Sequence, residues 1–566
     1  MQRLYTKEGK TLPEIPWNVY PRLQMVREDW LCLNGRWELE IQKSGTSPAE
    51  TRTEQIIVPF CPESLLSGVD VPPEPGDVLL YRREFSLPEK KWKGKRVLLH
   101  FGAVNRDTVV LVNKREVCRS INGYLPFTAD ITDALCEGRN RLEVRTVNDL
   151  SLQYPWGKQS KKRGGMWYTP CSGIWQTVWL EPVPEQYITR LRIRTGENWA
   201  EILTEGIDKG TLLMDGQELP IQGGKVRISL SQPKLWSPEA PYLYHFSVRT
   251  DEDQVESYFA LRTLTMKPVS GIPRLCLNGK PYFFNGLLDQ GYWSDGLYTP
   301  AGSQGFEKDI LTMKALGFNM LRKHIKVEPE LFYYACDSLG MIVFQDMVNN
   351  GDYNYLRDTV LPTLHFQKRK DRGMHRDPAT RKAFLDAMKE TVEALENHPS
   401  ICLWTIFNEG WGQFCADEAY DTLKKLDPTR FIDSTSGWFH QKKSDVDSLH
   451  IYFDKLHLGK KPLPQFLSEF GGYVWKIPEH SFNREKTYGY KKFETREEFI
   501  HALRDLYGNL LPPLVEKGLC GAVYTQVSDV EDETNGLFTF DRAVCRVQPE
   551  EFADLSEVLQ KAVSSS

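Results

Sequence analysis

From residue 282 onward, short apolar runs alternate with longer segments in which apolar residues recur at helical spacing. This alternation predicts βαβ units, and therefore a parallel sheet whose two faces are covered by helices. The run from Ile401 to Phe407 suits a strand that is buried on both faces. Eight such strands would close a (β/α)8 TIM barrel over residues 269–566. We predict that they begin near Tyr282, Phe318, Met341, Ile401, Arg430, Val446, Pro464 and Leu519.

The first half of the chain has a different pattern, in which apolar and polar residues alternate over short runs separated by turn residues. This period of two predicts the half-buried strands of antiparallel β-sandwiches. Asn34-Gly35 and Asp215-Gly216 each lie between two such runs and predict tight hairpins. We interpret residues 1–185 as one β-sandwich and residues 186–268 as a second, immunoglobulin-like β-sandwich. The fold class is therefore multidomain, β followed by α/β.

The length of the chain agrees with three domains, and its composition argues against some classes of binding partner. A chain of 566 residues exceeds a single hydrophobic core. Its formal charge of -5 favours neither nucleic acid nor an anionic membrane surface as a partner. The 11 cysteines are an odd number without a Cys-x-x-Cys pair, so we expect reduced thiols. Without an apolar leader at the N-terminus or a long apolar run, we expect a cytoplasmic protein, with a homo-oligomer left open.

Two glutamates occur where predicted buried strands end. Glu409 follows the run from Ile401, and Glu469 lies near the end of the apolar stretch from Leu463 to Gly472. The carboxyl ends of the strands of a TIM barrel meet at one face, so both side chains are expected at the same cavity. Two carboxyl groups in one cavity are what glycoside hydrolysis requires. The alternative is that each is an ordinary acidic residue in a surface loop.

The residues around these glutamates resemble a known family. Asn408-Glu409 and, three strands later, Ser468-Glu469-Phe470-Gly471 are similar to the motifs of glycoside hydrolase family 2, which includes β-galactosidases, β-glucuronidases and β-mannosidases. The resemblance extends over nearly the whole chain. The stretch from Ser172 to Glu181 resembles the jelly-roll sugar-binding domain of that family, so the resemblance implies that the first sandwich is a jelly roll.

The resemblance also implies a mechanism. Glu469 would be the nucleophile and Glu409 the acid/base of a retaining reaction, with the two carboxyl groups about 5 to 5.5 Å apart. Asn408 would contact the sugar 2-hydroxyl, Tyr452 would orient the nucleophile and Arg322 would lie behind it. His324 is a weaker candidate, because it lies one position nearer to Arg322 than the corresponding histidine of relatives.

The floor of the sugar pocket is less well determined by the resemblance. Many relatives end the eighth strand with a tryptophan under the sugar, whereas this chain has Gln526 near that place. Asp289, after the first strand, is expected to hold sugar hydroxyl groups. Aromatic platforms could replace the missing tryptophan, because their faces pack against sugar rings. The candidates for this platform are Trp411, Trp438, Trp475 and Tyr292-Trp293.

The expected function is that of a retaining, exo-acting β-glycosidase, most similar to β-galactosidase, acting on an oligosaccharide or another glycoside. The alternatives are a β-mannosidase, a β-glucuronidase and a non-catalytic carbohydrate-binding protein on the same scaffold. We expect poor activity on glucuronides, because Asn535-Gly536-Leu537 lacks the lysine of the Asn-x-Lys element of glucuronidases. Neither a metal nor another cofactor is expected. The basic run Lys368 to Arg372 is interpreted as a solvated surface.

Overall fold

The computed structural model describes residues 1–45 and 52–565. The first part of the chain forms two antiparallel sheets, ordered β1-β12-β5-β9 and β3-β2-β4-β10-β7-β8, with a small β11-β6 pair beside them. Side chains of both larger sheets share one apolar core, which makes this part a β-sandwich. Its strands are β1 (Leu31–Cys32), β2 (Gly35–Gln42), β3 (Arg52–Val58), β4 (Val78–Ser86), β5 (Arg96–Phe101), β6 (Val104–Asn105), β7 (Asp107–Val112), β8 (Arg115–Ser120), β9 (Phe127–Asp130), β10 (Arg139–Val147), β11 (Gly173–Ile174) and β12 (Val178–Val183).

The second part is a seven-stranded antiparallel arrangement with the order β13-β14-β17-β16-β15-β18-β19. Only the pair Gln222 and Lys225 joins β16 to β17, so the sheet folds over at this point and encloses its own apolar core. This is the predicted immunoglobulin-like sandwich. Its strands are β13 (Arg190–Thr195), β14 (Trp199–Glu205), β15 (Lys209–Met214), β16 (Gln217–Gln222), β17 (Lys225–Ser229), β18 (Tyr244–Arg249) and β19 (Gln254–Phe259).

One of the two predicted hairpins is correct and the other is wrong. Asp215-Gly216 joins β15 to β16 as a two-residue turn with φ angles of 50° and 75°. Asn34-Gly35 instead crosses between sheets, because β1 pairs with β12 whereas β2 pairs with β3 and β4. The Asn34 side chain stabilises this crossing, since its Nδ2 donates to the Pro16 carbonyl and its Oδ1 accepts from the Val178 amide. The same turn residues therefore serve a different connection.

The third part contains eight parallel strands in the order β27-β26-β25-β24-β23-β32-β29-β28, preceded by a small sheet of β20, β21 and β22. Each of the eight begins within two residues of its predicted position, so the predicted barrel is confirmed. The small sheet consists of β20 (Leu264–Val269), β21 (Ile272–Leu277) and β22 (Lys280–Pro281). The barrel strands are β23 (Phe284–Asp289), β24 (Met320–Lys323), β25 (Ile342–Asp346), β26 (Ile401–Asn408), β27 (Phe431–Ser436), β28 (Asp447–Ile451), β29 (Gln465–Gly471) and β32 (Leu519–Thr525), and two short strands, β30 (Tyr473–Val474) and β31 (Lys491–Lys492), pair beside them.

The barrel closes between β27 and β28 with hydrogen bonds from side chains as well as backbone. The Ile432 amide donates to Asp445 Oδ2 over 2.9 Å, and Ser448 Oγ donates to Asp433 Oδ1 over 3.0 Å. The connections after β27 and after β28 contain no helix in the described chain, unlike the eight full units of the prediction. They span 10 and 13 residues, which is too short for a helix with a loop at each end.

Helices cover the outside of the other six barrel strands. The longest, which follows β25, begins after Asp377, whose side chain accepts a hydrogen bond from the Thr380 amide and so caps the helix. The α-helices are α1 (Glu89–Trp92), α2 (Gln304–Ala315), α3 (Glu330–Leu339), α4 (Leu361–Thr363), α5 (Pro378–Leu395), α6 (Ala416–Leu426), α7 (Arg496–Asp505), α8 (Pro512–Glu516) and α9 (Pro549–Ser565). Among the described residues, none of these helices is long and apolar enough to cross a lipid bilayer.

Candidate active site

Glu409 is the first residue after β26, where the chain turns sharply at the carboxyl end of the barrel. All residues of β26 are buried, because the strand lies between two neighbours in the barrel wall. The turn requires left-handed backbone at Glu409 (φ 52°) and at Gly410 (φ 75°). A Cβ atom at Gly410 would lie only 2.3 Å from the ring of Phe439, so this position also needs glycine for space. The turn leaves Glu409 8% exposed.

Glu469 lies in β29 and is held by two donors. Arg322 Nη1 donates to its Oε1 over 3.1 Å, and the Tyr452 hydroxyl donates to its Oε2. The oxygen of Tyr452 also lies 2.9 Å from Thr525 Oγ1 in β32. Residues of β24 and β32, and the residue directly after β28, therefore contribute to fixing one carboxylate. Hydrogen bonds to an ionised acceptor are about twice as strong as hydrogen bonds between neutral groups.

His450 lies between the two carboxyl groups, at the end of β28. Its Nδ1 is 2.8 Å from Glu409 Oε1, and its Nε2 is 3.6 Å from Glu469 Oε1 and 3.1 Å from Ser436 Oγ. One carboxylate oxygen of each glutamate and one nitrogen of His450 all lie within 4.8 Å of one another. This spacing fits the separation of about 5 to 5.5 Å in retaining glycosidases better than the about 6.5 to 9.5 Å in inverting ones.

The same three residues form the one group of potential metal ligands that the described chain brings together. Nδ1 of His450 faces Glu409, and Nε2 faces Glu469. A metal ion between the two glutamates could therefore bind only one of these nitrogens. Arg322 and Tyr452 already donate to the two oxygens of Glu469. We interpret the group as a hydrogen-bonded unit rather than a metal centre.

Arg322 connects this unit to its surroundings through four acceptors. Besides Glu469 and the Ser468 carbonyl, it donates from Nε to Asp346 Oδ1 over 3.0 Å and from Nη2 to Asn408 Oδ1 over 2.8 Å. The amide orientation this sets for Asn408 leaves its Nδ2 without a partner among the described residues. Asn408 thus offers a buried donor beside Glu409. His324, the weaker candidate, lies 2.7 Å from Asp346 Oδ2 and supports the network from behind.

The surroundings shift the pKa values of the two glutamates in opposite directions. Burial raises the pKa of Glu409, and the negative charge of Glu469 raises it further, although the hydrogen bond with His450 acts against both. Burial also disfavours the charged form of Glu469, but His450, His324 and Arg322 together hold its pKa well below the usual range. At neutral pH, Glu469 is therefore ionised, and Glu409 is the carboxyl group that more readily keeps a proton.

Two of the predicted aromatic platforms contact the site. The Trp438 ring lies edge-on to His450 at 5.5 Å, and its Nε1 donates to the Glu409 carbonyl over 3.0 Å. Trp411 is 1% exposed and stacks on Trp167 with ring centroids 5.2 Å apart. Its Nε1 has no partner among the described residues. Trp438 and Trp411 therefore form an aromatic wall around the glutamates.

The other predicted aromatic platforms are engaged elsewhere. Tyr292 and Trp293 are buried in the aromatic cluster above the first barrel strand, where Trp293 lies 6.2 Å from the Phe306 ring. Trp475 is half-buried against Phe499, with centroids 6.4 Å apart. These contacts are those of core residues, and the structure does not bring these three rings together with the glutamates.

Asp289 lies at the end of β23 and is half-buried, and Gln526 directly follows β32 and is buried. Asp289 Oδ2 pairs with Lys323 Nζ at 2.7 Å, which makes it part of a buried ion cluster. Gln526 Nε2 donates to Asn535 Oδ1 over 2.8 Å, while its Oε1 has no partner among the described residues. Gln526 therefore presents one free acceptor, whereas Asp289 already has a cation beside it.

The long connections after β25 and β29 rise from the carboxyl end of the barrel, as expected. The connection after β25 carries the basic run, whose four cationic residues are exposed as predicted. Asp371 in that run is instead buried, and its Oδ2 accepts hydrogen bonds from Gln413 Nε2 and the Ala416 amide. These bonds attach the connection to the segment that follows Glu409.

A loop of the first sandwich also reaches the site, which the sequence reasoning missed. Residues 148–172 connect β10 to β11 and carry Trp156 and Trp167, whose rings stack with centroids 5.4 Å apart, next to Trp411. In the same loop, the Lys158 ammonium lies 5.7 Å from the centroid of Trp411. The loop length was the signal that could have identified it, because structureless loops above about 12 to 15 residues are commonly functional.

Hydrogen bonds attach this loop firmly to the segment that follows β32. The Tyr168 hydroxyl donates to Glu533, and the Thr169 amide donates to Glu531 Oε1 over 3.0 Å. Both glutamates are buried. The first sandwich is thus attached to the carboxyl end of the barrel at this loop.

Three family models match the chain, and together they cover more than half of it. They are described as "Glycosyl hydrolases family 2, sugar binding domain" over residues 63–184, "Glycosyl hydrolases family 2" over residues 189–262, and "Glycosyl hydrolases family 2, TIM barrel domain" over residues 272–465. The last range includes Glu409 and ends four residues before Glu469.

Curated relatives are more distant. A "Putative beta-glucuronidase" of Formosa agariphila is 25% identical over 451 residues, which are 69% of this chain and 50% of that protein. A "Beta-galactosidase" of Aeromonas hydrophila is 27% identical over 405 residues, which are 65% of this chain and 36% of that protein. The chain thus spans half or less of the length of these relatives.

Solved structures share the fold over nearly the whole chain. The β-D-glucuronidase structure for Dictyoglomus thermophilum has a TM-score of 0.71 at 19% identity and covers 96% of this chain and 98% of its own. The β-galacturonidase from Eisenbergiella tayi bound to galacturonate has a TM-score of 0.68 at 19% identity and covers 98% of this chain and 99% of its own. At this identity the likeness establishes the architecture of two sandwiches and a barrel.

Proposed function

Because this chain belongs to family 2 of the glycosyl hydrolases, we propose that it is a retaining, exo-acting β-glycosidase that works by double displacement. One observation carries the proposal. Glu409 and Glu469 are buried, have carboxylate oxygens within 4.8 Å of each other, and have pKa values shifted in opposite directions. A protonated acid beside an ionised carboxylate is the state that the first step of a retaining hydrolysis needs.

In the first step, the Glu469 carboxylate attacks the anomeric carbon while Glu409 gives its proton to the departing aglycone oxygen. The bond from the anomeric carbon to that oxygen breaks, and an ester to Glu469 forms. Proton transfer from a placed acid contributes about 10² to 10⁴-fold to such a step. Arg322 and Tyr452 keep Glu469 aimed along one direction, because each occupies one of its oxygens.

In the second step, water replaces the ester. Glu469 has lost its negative charge in the ester, so one of the two causes that raised the pKa of Glu409 is removed at this stage, while burial remains. Glu409, now a carboxylate, takes a proton from water as the water attacks the anomeric carbon. The sugar leaves with its β configuration, and the breaking of the ester returns Glu469 to its ionised form.

Asn408 and the aromatic wall would bind the sugar during both steps. The free Nδ2 of Asn408 is a buried donor next to Glu409, suited to the 2-hydroxyl group, whose hydrogen bonds strengthen in the transition state. Residues 148–172 pack against Trp411 and the segment after β32. A loop from another domain at this place supports exo action, because it restricts access to the end of a sugar chain.

The sugar itself is less constrained than the mechanism. The names of the relatives, β-glucuronidase and β-galactosidase, support both an acidic and a neutral sugar. A β-mannoside is the third substrate that the sequence leaves open. The competing hypothesis of a non-catalytic binding protein predicts binding of glycosides without turnover.

A panel of 4-nitrophenyl β-glycosides tests the proposal, with proton NMR recording the first anomer released. We expect hydrolysis of at least one β-glycoside with the β anomer formed first. The Glu469→Gln variant serves as the control for contaminating activity and is expected to be inactive. An α anomer as the first product, or binding of glycosides without hydrolysis, would overturn the proposal.

A further inference from the structure

Lys158 is a buried cation without a counter-ion in contact. It belongs to the loop 148–172 of the first sandwich and is 8% exposed. Its ammonium lies 5.7 Å from the ring centroids of both Tyr168 and Trp411. Among the described residues, no carboxylate oxygen lies within 4.0 Å of this ammonium, and no hydrogen-bond acceptor contacts it. A buried lysine without a partner is rare, because removing the charge from water is costly.

The other buried lysines at this end of the barrel are paired. Lys323 Nζ lies 2.7 Å from carboxylate oxygens of both Asp289 and Glu328. Lys326 Nζ lies 2.8 Å from Glu328 Oε2 and donates to two backbone carbonyls. The charges of both lysines are therefore neutralised by carboxylates of the protein. Lys158 differs from them, because no carboxylate of the described residues pairs with its ammonium.

The charge of Lys158 acts on the site and not on the outer surface. It lowers the pKa of both Glu409 and Glu469, and also that of Glu533 and of His324. These residues lie on four different strands or connections of the barrel. The geometry agrees, because the ammonium lies 5.7 Å from the ring of Trp411, two residues after Glu409.

A second polar group beside Lys158 also lacks a partner. Trp411, whose ring faces the ammonium, is buried, and its Nε1 donor is unpaired among the described residues. Asn349 is 5% exposed with both side-chain polar atoms unpaired, and its carbonyl accepts from the Trp156 amide, which ties it to the loop of Lys158. Buried polar groups normally have partners, so an unpaired ammonium next to a tryptophan with an unpaired Nε1 indicates a ligand that binds there.

We propose that Lys158 binds a carboxylate on the terminal sugar, so that the substrate is a β-linked uronic acid. This inference rests on the proposed function, since it names the sugar for the same cavity. One ammonium matches the single charge of a carboxylate, and Trp411, whose ring lies 5.7 Å from that ammonium, offers Nε1 as a second unpaired donor. A phosphate monoester carries about -1.5 to -2 charges at pH 7, so it would leave part of its charge unpaired next to Glu409 and Glu469. Lys158 also supplies, from another domain, the cation that Asn535-Gly536-Leu537 lacks.

The test compares kcat/KM for aryl β-glucuronide and β-galacturonide with kcat/KM for the matching aryl glucoside and galactoside. We expect the wild-type protein to prefer one of the acids. In Lys158→Met, the ratio of acid to neutral kcat/KM should fall by about 10²-fold, since one partner of a buried charge pair is lost. Lys158→Arg should retain part of the preference. Lys162→Met, an exposed lysine in the same loop, is the matched control and should leave the ratio unchanged.

Two results would overturn the inference while leaving the proposed function intact. One is a wild-type preference for the neutral sugars. The other is an equal loss on acidic and neutral substrates in Lys158→Met, which would assign Lys158 to the electrostatics of the glutamates alone.

A binding measurement separates the inference from the proposed function if no glycoside is hydrolysed. Calorimetry with free glucuronate and galacturonate, with glucose and galactose as controls, needs no turnover. Uronate binding that is lost in Lys158→Met supports the inference even then. Absence of uronate binding, or tighter binding of the neutral sugars, overturns it. Thermal unfolding of each variant shows that a loss is not due to misfolding.

Discussion

Nδ1 of His450 lies 2.8 Å from Oε1 of Glu409, on the side of the imidazole opposite to Glu469. His450 is fully enclosed, since its side chain has 0% exposure. It lowers the pKa of Glu409 through a hydrogen bond and the pKa of Glu469 through its charge. One side chain therefore adjusts the acidity of both glutamates. In the proposed mechanism it is a positioning residue, because it acts through them.

Replacing His450 should therefore move the pH profile as a whole. In His450→Leu, the pKa values of both glutamates should rise, since the hydrogen bond and the electrostatic influence of His450 that lowered them are gone. The acidic limb of kcat/KM, which requires ionised Glu469, and the basic limb, which requires protonated Glu409, should both shift to higher pH. We expect kcat to fall by about 10- to 100-fold from lost positioning.

The matched control is His450→Gln, whose side-chain amide keeps a donor for Glu409. Its basic limb should move less than that of the leucine variant. A reduced rate with both limbs unchanged would mean that His450 has a purely structural role.

The two glutamates should differ in what they contribute to stability. Burial raises the folded-state pKa of Glu409, so its ionised form is disfavoured by the fold, and this penalty appears as the pH rises through that pKa. Glu409→Gln should therefore stabilise the protein at pH 7.5, by about 1 kcal/mol, with the gain vanishing at low pH. Glu469 has a lowered pKa, so its charge stabilises the fold above the unfolded pKa.

Glu469→Gln should accordingly destabilise the protein at pH 7.5, by about 1 to 3 kcal/mol, because Arg322 loses part of its buried ion pair. Thermal unfolding of the two variants at several pH values measures both effects. Shifts of the same sign at pH 7.5 would contradict the opposite pKa shifts.

The turn between β7 and β8 offers a stability test outside the site. Asn113 and Lys114 form a two-residue turn with φ angles of 49° and 69°, a geometry that favours glycine at the second position. Asn113 has its own role, since its Oδ1 accepts from the Arg141 amide. Lys114→Gly should stabilise the first sandwich by about 0.5 kcal/mol, because it relieves the left-handed strain of a lysine.

Lys114→Ala is the control for that test, because alanine keeps the strain and should bring no gain. Urea unfolding followed by tryptophan fluorescence measures the difference. Equal stability of the glycine and alanine variants would show that the strain is negligible.

The barrel and the pair of strand-end glutamates could be predicted from the sequence because both depend on local pattern. An apolar run such as β26 is buried on both faces wherever it occurs in a barrel, and its carboxyl end has a fixed place in the fold. The pattern could not show that Asn34-Gly35 crosses between sheets, since the same residues suit a hairpin. Strand pairing depends on partners distant in sequence, here β12 for β1.

His450 and Lys158 escaped prediction for a related reason. His450 lies two residues before Tyr452 in the sequence, but this position alone does not show that it lies between the glutamates. That placement results from the packing of β28 against β29. Lys158 belongs to another domain, and only the docking of its loop against Glu531 and Glu533 brings it over the barrel. Gln526 and Asp289 were expected near the sugar, yet their sequence positions gave no information on Asn535 and Lys323, which hold them.

The division of roles between Glu409 and Glu469 has a kinetic consequence. In Glu409→Ala, a dinitrophenyl glycoside should still react, because its leaving group departs without a proton, whereas a disaccharide should lose about 10² to 10⁴-fold in rate. In Glu469→Ala, both substrates should fail, since no leaving group replaces a missing nucleophile. Steady-state rates on both substrates, with folding checked by thermal unfolding, measure this. Full activity of either variant on the disaccharide would remove that residue from the mechanism.

The most direct measurement is the anomeric configuration of the product that each variant forms with azide. In Glu409→Ala, azide attacks the glycosyl ester on Glu469 and needs no base, so turnover is regained and a β-glycosyl azide forms. In Glu469→Ala, azide attacks the substrate directly from the face that the carboxylate would have used, and an α-glycosyl azide forms. Proton NMR distinguishes the two. Double displacement with these roles predicts the β adduct from Glu409→Ala and the α adduct from Glu469→Ala, and the reverse assignment would contradict it.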